Sequence, residues 1–499
     1  MESLNFTDLF IFDLANNHQG DVEHGLKIID ECSKVVADTG VKAALKFQFR
    51  DLKTLIHPDF RESKDSPHIQ RFLETALQPE DYKRMVDAVR KAGMITMATP
   101  FDENSVDLLE ELDIDVVKIA SCAALDRPLL ERASKADRPM VISTGGLSIK
   151  QIDNLVSFME KHRVKFALMH CVALYPTERD KLNLNQIAML RNRFSNVPVG
   201  FSTHEEPENL DSVKIAYAKG SQLFERHVGL ATKKYKINAY SSTPDQLRAW
   251  IKAFQDARSI CGGEERSPSS IAEVKSLKSL MRGVYTYQAK NKGEVFEQKD
   301  VFFAMPLQEG QLTSGRWRNG IIADRDYSSG EPLGEAFADY SPAREDIIYQ
   351  ILLQVKGMLN LAHVPIGSKS PVELSHHYGL DRFREFGCVF IDCVNREYCK
   401  KLIIMLPRQK HPYHYHAKKE ETFQLLHGDM EVFIEGHPTR LFPGDTLLIL
   451  PGKWHKFHTL DGAIMEEIST THYNDDSFYE DEQIVKIPRE KRKTLVQNW

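Results

Sequence analysis

The sequence lacks a basic excess. Lys and Arg number 65 against 71 Asp and Glu, a formal net charge of −6, so composition gives no electrostatic footprint for nucleic acid. It also lacks long apolar runs. The longest are strand-sized, such as Leu447–Leu450, far short of the ~20 residues that span a bilayer. No basic stretch followed by an apolar core opens the chain at Met1–Asn5, so no secretory leader is expected. Cysteine is scarce and odd in number, seven in 499 residues, which excludes a disulfide framework. With 42% hydrophobic and 27% charged residues, the composition is that of a globular protein with material for more than one core. The expectation is a reduced, cytoplasmic protein without nucleic-acid or membrane partners.

What is present is an alternation. Eight apolar, β-branched runs, Leu9–Leu14, Ala43–Gln48, Ile95–Pro100, Val116–Ser121, Pro139–Thr144, Val164–His170, Pro198–Thr203 and Gln222–His227, alternate with amphipathic stretches such as Val22–Asp38, Asp81–Ala92 and Gln151–Lys161. Strands alternating with helices pair in parallel through right-handed crossovers. Eight units within residues 1–262 predict an α/β fold, a (β/α)8 barrel of the usual size of ~250 residues; an open doubly wound sheet is the rival. The strand interiors are apolar and the C-terminal tips polar: Asp13, Lys46 with Gln48, Thr99, Lys118 with Ser121, Ser143 with Thr144, His170, Ser202 with His204, and Glu225 with His227. A barrel builds its site at that face. Lys46 and Lys118 there call for an anion, unless Asp13 and Glu225 neutralise them internally. Thr99, Ser121, Ser143 and Ser202 are short donors suited to phosphate or carboxylate oxygens. His204 and His227, with Glu225 near, have the chemistry of a divalent-metal site with open positions.

Eight stretches in order, Asn16-Asn17-His18-Gln19-Gly20, Leu45–Gln48, Ala98–Asp102, Val117–Ser121, Ile142–Gly146, Met169–Thr177, Gly200–His204 and Phe224–Val228, resemble the nonulosonate synthases, the sialic acid synthase family that condenses phosphoenolpyruvate with an N-acylated amino-sugar aldehyde. The resemblance implies that Lys46, Thr99, Lys118, Ser121, Ser143 and Ser202 bind phosphoenolpyruvate and that His204 and His227 hold Mn2+ or Mg2+. It places Tyr175, Gln48 and Glu225 at the sugar aldehyde, with Asp13 standing where the family has a longer Glu. Other departures are Thr203 for an Asp, Arg226 for a Lys, Ala173 for an Asn or Ser, and Ile237-Asn238 for Asp-His. Because the phosphoenolpyruvate and metal positions mostly survive while sugar-side positions drift, the same reaction type is expected on N-acetylmannosamine or a related hexose. Non-catalytic sugar binding on a decayed barrel is the alternative.

Residues 275–340 carry short strand signals punctuated by Gly and Pro. The family resemblance implies an antifreeze-like (SAF) domain here and a domain-swapped homodimer. The family's Arg-Pro-Gly loop reads Met305-Pro306-Leu307, leaving Arg316 or Arg318 as substitutes for its Arg. Residues 341–370 contain a helical pattern, Arg344–Leu361, read as a linker.

Beyond it, seven of the 19 His lie between His411 and His458. His414 and His416, two apart on an extended strand, face one side; with Glu421 and His455 they make a three-His, one-carboxylate set for a divalent ion. Their order, with the Gly444-Asp445 and Pro451-Gly452 turns, resembles the cupin family and implies a double-sheet jelly roll over 371–499 binding Zn2+, Mn2+, Fe2+ or Ni2+. His414 and His416, Lys419 and Glu421 in this order also resemble sugar-isomerase cupins, which gives a second alternative, a cupin-based sugar isomerase; a sugar-sensing or oligomerising module is the other reading of this domain. His411, His427, His437 and His458 are expected at the surface or behind the ligands.

Overall fold

Parallel pairing around the N-terminal half closes on itself. The computed structural model describes residues 4–61, 66–264, 266–335, 344–367, 370–497 and 499. Strands β1 (Leu9–Asp13), β2 (Lys42–Phe49), β3 (Ile95–Pro100), β4 (Val116–Ile119), β5 (Met140–Ser143), β6 (Phe166–Cys171), β7 (Val199–Thr203) and β8 (Leu223–His227) form a closed barrel in sequence order. β1 pairs in parallel with both β2 and β8. The open-sheet rival is excluded.

Period-2 alternation divides the strand residues. Leu9, Ile11, Ala44, Met97, Val116, Val141, Ala167, Met169 and Leu223 fill the interior, so the barrel is packed below the site, not a pore. The alternate residues, among them Phe10, Phe12, Phe47, Phe201 and Phe224, pack outward against the helices with Trp250 and Phe254. The helix Val22–Thr39 illustrates the match of local signal and burial. Asp21 caps it by accepting from the His24 amide at 3.2 Å, Gly40 ends it at φ 67°, and Ile28, Ile29, Cys32 and Val35 lie on its buried face. Truncating such a buried aliphatic side chain costs about 2–5 kcal/mol. Among the described residues no helix is long and apolar enough to cross a membrane.

The chain divides into two compact units, Met1–Pro268 and Ser269–Trp499. The second unit opens with a helix, Ile271–Leu280, followed by short antiparallel pairs, Gly283–Thr286 with Val301–Ala304 and Val295–Phe296 with Ile321–Ile322, over a small core of Val284, Phe296, Leu312 and Leu333. Arg316 pairs with Glu335 at 3.3 Å, and Arg318 donates to the Trp317 carbonyl at 2.7 Å. The expected helix is present at Arg344–Leu361; the expected boundary at 340/341 lies outside the described residues. The remainder is a double sheet. Seven strands run in the order Thr446–Ile449, Glu421–Gly428, Ala463–Thr470, Tyr398–Met405, Cys388–Asn395, Val372–Ser375 and Lys493–Val496. Five face them: His437–Leu441, Met430–Ile434, His455–His458, Lys410–Tyr415 and Phe478–Tyr479.

Candidate functional site

At the C-terminal mouth of the barrel the inward side chains become polar at one level, and they meet. Lys46 Nζ lies 3.0 Å from Asp13 Oδ2 and 3.1 Å from Glu225 Oε1. Lys118 Nζ lies 3.5 Å from Glu225 Oε2 and donates to Ser143 Oγ at 2.5 Å. Ser202 Oγ donates to Glu225 Oε1 at 2.9 Å. His227 Nε2 is 3.3 Å from Asp13 Oδ2. The imidazoles of His204 and His227 are 5.3 Å apart between centroids, and Tyr175 lies 4.3 Å from His204. Asp13, Lys46, Lys118, Ser143, Ser202, Glu225 and both His are buried, whereas Tyr175 is half exposed. The internal neutralisation weighed against an anion site is therefore realised: Glu225 touches both ammoniums, and Asp13 one. Thr99 Oγ1, one Glu225 oxygen and His227 Nδ1 are buried without hydrogen-bond partners, which marks unfilled bonding capacity.

The charge states follow. Burial by itself disfavours the Glu225 carboxylate, but Lys118 and Lys46 outweigh it and hold the group well below its usual range. Burial likewise opposes the Lys46 ammonium, and Asp13 and Glu225 reverse this and raise its pKa. Lys118, with a single carboxylate neighbour, ends below its ordinary value, chiefly through burial. Burial and then His227 lower His204 to about 3, and burial lowers His227. Both rings are thus neutral near pH 7, the state that ligates metal. His204 Nδ1–H donates to the Val172 carbonyl at 3.0 Å, which leaves its Nε2 free. Two neutral imidazoles with the Asp13 carboxylate beside one of them fit a divalent ion in their chemistry.

Buried neutral histidines make the barrel acid-sensitive. Burial also lowers His18, to about 4. His18 and His204 take up protons on unfolding below pH ~6.5, so stability is full above that value and falls as pH drops toward their folded pKa values. With two groups the slope approaches 2–3 kcal/mol per pH unit, from ~1.4 kcal/mol each. Denaturant unfolding of metal-free protein between pH 7 and 4.5 is expected to show the decline starting near pH 6.5, above the carboxylate range.

Several sequence-derived positions need correction or refinement. His170 is at a strand tip but pairs in register with the outward Phe201. It stacks on that ring and bonds the Leu182 carbonyl at 2.8 Å, so it faces the helices and not the mouth. Thr144 bonds the Met169 carbonyl at 3.0 Å. The inward place on β6 belongs to Cys171, which the sequence reading passed over; its Sγ lies 3.3 Å from Ser121 Oγ. Ser121 Oγ also accepts the Gly145 amide at 3.0 Å. A Cβ at Gly145 would fall 2.7 Å from Cys171 Sγ and 2.9 Å from Ser121 Oγ, so only glycine closes this corner. Gln48 is committed to Arg50, accepting from its Nη2 at 2.7 Å. Arg50 was not singled out either; Phe72 and Phe101 hold its guanidinium at 4.0 and 3.9 Å. Thr203 and Arg226, two separate departures in sequence, prove to be register partners on the outward face. Arg226 there is fully buried, near Glu205 at 3.5 Å and over Trp250. Asn238 donates to Asn17 Oδ1 at 3.2 Å, and Asn17 reaches the Val228 carbonyl at 2.7 Å.

Comparison with known proteins agrees with this geometry. Residues 33–266 match the NeuB family, and residues 401–469 match the cupin domain family. A solved structure assigned as spore coat polysaccharide biosynthesis protein E of Chromobacterium violaceum is 41% identical, covers 66% of this chain and 98% of its own, and superposes with a TM-score of 0.63. The chain belongs to the NeuB family. Among curated NeuB-type relatives, the N,N'-diacetyllegionaminic acid synthase of Campylobacter jejuni is 26% identical over 332 residues, 64% of this chain and 92% of its own. The N-acetylneuraminate-9-phosphate synthase of Drosophila melanogaster is 30% identical over 258 residues, 49% of this chain and 66% of its own.

The cupin holds a second constellation. His414, His416 and His455 offer ligand atoms within 4.8 Å of one another. Each uses Nδ1–H on a backbone carbonyl: His414 on Pro412 at 3.1 Å, His455 on Lys453 at 3.0 Å, and His416 on Asp476. Each Nε2 is thereby left for a common point. Glu421, on the opposite sheet, faces them at 3.5 Å from His416 and 3.2 Å from His455. His455 Nε2 and Glu421 Oε2 face each other at that distance, and neither has another hydrogen-bond partner. Lys419 bridges Glu421 at 2.5 Å and Glu467 at 2.8 Å. His427 and His437 are exposed as expected, and His458 faces Glu431 at 3.2 Å. His411, expected at the surface or behind the ligands, is buried; its ring is 4.5 Å from that of His414.

Proposed function

We propose that this chain condenses phosphoenolpyruvate with an N-acylated amino-sugar aldehyde, N-acetylmannosamine or a related hexose, giving a nonulosonic acid and inorganic phosphate. The supporting observation is the convergence of Lys46, Lys118 and Ser202 on Glu225, with Ser143 on Lys118, beside the His204–His227 pair. Two relatives are an N,N'-diacetyllegionaminic acid synthase and an N-acetylneuraminate-9-phosphate synthase, which agrees with it.

The residues divide the work by charge. Lys46 and Lys118, with Thr99, Ser121, Ser143 and Ser202, bind the phosphate and carboxylate of phosphoenolpyruvate through charge-assisted hydrogen bonds. Tyr175 and Gln48 line the acceptor side. A divalent ion, Mn2+ or Mg2+, held by His204 and His227 would supply Lewis acidity at the aldehyde oxygen. The methylene carbon of phosphoenolpyruvate bonds to the aldehyde carbon, whose oxygen takes a proton. Positive charge then develops at the phosphate-bearing carbon, where the Glu225 and Asp13 carboxylates stabilise it. Water adds at that carbon, and phosphate departs onto the lysines. Orientation of both reactants in one mouth provides much of the rate. By the same family reading, the short-stranded segment of the second unit is an antifreeze-like domain serving a domain-swapped homodimer, and the cupin binds a second divalent metal through His414, His416, Glu421 and His455.

Phosphate release from phosphoenolpyruvate, across a panel of amino-sugar aldehydes with and without Mn2+, tests the proposal. Release is expected to require both sugar and metal and to fall at least about a thousandfold in His227→Ala, ~4 kcal/mol of barrier. The internally neutralised lysines favour one competing reading, a non-catalytic sugar binder. Sugar binding without release from any acceptor would establish that reading instead.

A further inference from the structure

A β-bulge in the cupin puts one histidine where strand alternation would not. On Lys410–Tyr415 the register against His455–His458 shifts between His411 and His414. Three residues apart, the two would otherwise face opposite sides. Here both are buried, and both donate Nδ1–H to one carbonyl, that of Pro412, at 3.1 Å each. The shared anchor leaves two Nε2 atoms free. That of His414 belongs to the His416, His455 and Glu421 group. His411 groups instead with His377 and Cys388, its ring 4.6 Å from that of His377.

We propose that His377, Cys388 and His411 form a second metal site in the cupin, distinct from the His414 set and taking a borderline-to-soft transition ion, Zn2+ foremost. The three offer ligand atoms within 4.8 Å of one another, and all are buried. They come from three places: the end of Val372–Ser375, the start of the paired strand Cys388–Asn395, and the facing sheet. Two imidazoles and a thiolate match the ligand chemistry of zinc and copper, not of magnesium or calcium. His377 Nε2 is the deciding atom. His377 is 1% exposed, and that nitrogen has no hydrogen-bond partner. An orphaned buried nitrogen keeps its full desolvation penalty, which a ligated ion removes. The bland alternative, a core cysteine beside two packed histidines, leaves that cost unmet. Binding releases the Cys388 thiol proton to solvent, and the thiolate supplies the negative charge. The inference is independent of the barrel's proposed reaction.

The full-length protein, stripped with chelator and titrated with Co2+, gives the test, because a sulfur-to-cobalt charge-transfer band reports thiolate ligation only. The band is expected to saturate at one equivalent of thiolate-bound cobalt per chain. It should persist in His227→Ala, Cys171→Ser and His416→Ala, and vanish in Cys388→Ser. Zinc content should fall by one ion per chain in Cys388→Ser. No band, a band that needs large cobalt excess, or a band that survives Cys388→Ser overturns the site. Should Cys388→Ser fail to fold by circular dichroism, His377→Gln decides. It removes one nitrogen and is expected to weaken cobalt binding at the band at least tenfold; unchanged binding overturns the proposal.

Discussion

Lys46→Met is expected to cut phosphate release at least about a thousandfold and to move the remaining activity to higher pH. The first effect follows from truncating one member of a fully desolvated charge cluster, which costs about 2–5 kcal/mol, added to loss of a phosphate or carboxylate contact in the reaction. The second effect separates this from simple damage. Lys46 sits between Asp13 and Glu225, while Asp13 Oδ2 also faces His227 Nε2 at 3.3 Å. Burial lowers the His227 pKa first; Asp13 pulls it up and Lys46 pushes it down. Without Lys46 the lone Asp13 carboxylate favours a protonated His227, so its pKa rises. A charged imidazole ligates no metal, and the acid limb of the pH–rate profile shifts upward. Lys118→Met, which removes a weaker depressant of His227 than Lys46 is, should cost comparable activity with a smaller shift. A Lys46→Met profile superimposable on wild type would remove Lys46 from the control of His227.

The barrel was legible because its physics is local. Each strand is a short apolar run bounded by turn residues, and eight β/α repeats leave few topologies. Period-2 alternation then assigns Lys46, Lys118, Ser202, Glu225 and His227 inward without coordinates. Where phase had to be known to one residue, reading failed. His170 and Cys171 are neighbours, and histidine drew attention while cysteine holds the inward place. His411 lies behind the ligand His414, one of the two places expected for it, but it arrives there through a bulge that changes parity, and nothing in His-Pro-Tyr-His announces one. Arg50 escaped because its environment, two phenyl rings from separate segments, exists only after folding. The coupled change at Thr203 and Arg226 was equally hidden, since cross-strand register pairs residues 23 positions apart.

Glu225→Gln should split binding from turnover. In the free protein this carboxylate occupies both lysines, accepting from Lys46 at 3.1 Å and standing 3.5 Å from Lys118. An incoming anion must share those ammoniums with it. Glutamine keeps the shape and still accepts from Ser202, but removes the competing charge. Phosphoenolpyruvate is therefore expected to bind more tightly, by about tenfold, ~1.4 kcal/mol. Turnover is expected to fall by two to three orders of magnitude, ~3–4 kcal/mol, because the charge that stabilises the developing cation at the phosphate-bearing carbon is gone. Calorimetric binding of phosphoenolpyruvate and steady-state phosphate release read the two halves separately. A structural role alone would weaken both together. Tighter binding with undiminished turnover would instead confine Glu225 to counter-ion duty and move stabilisation of the cation to Asp13.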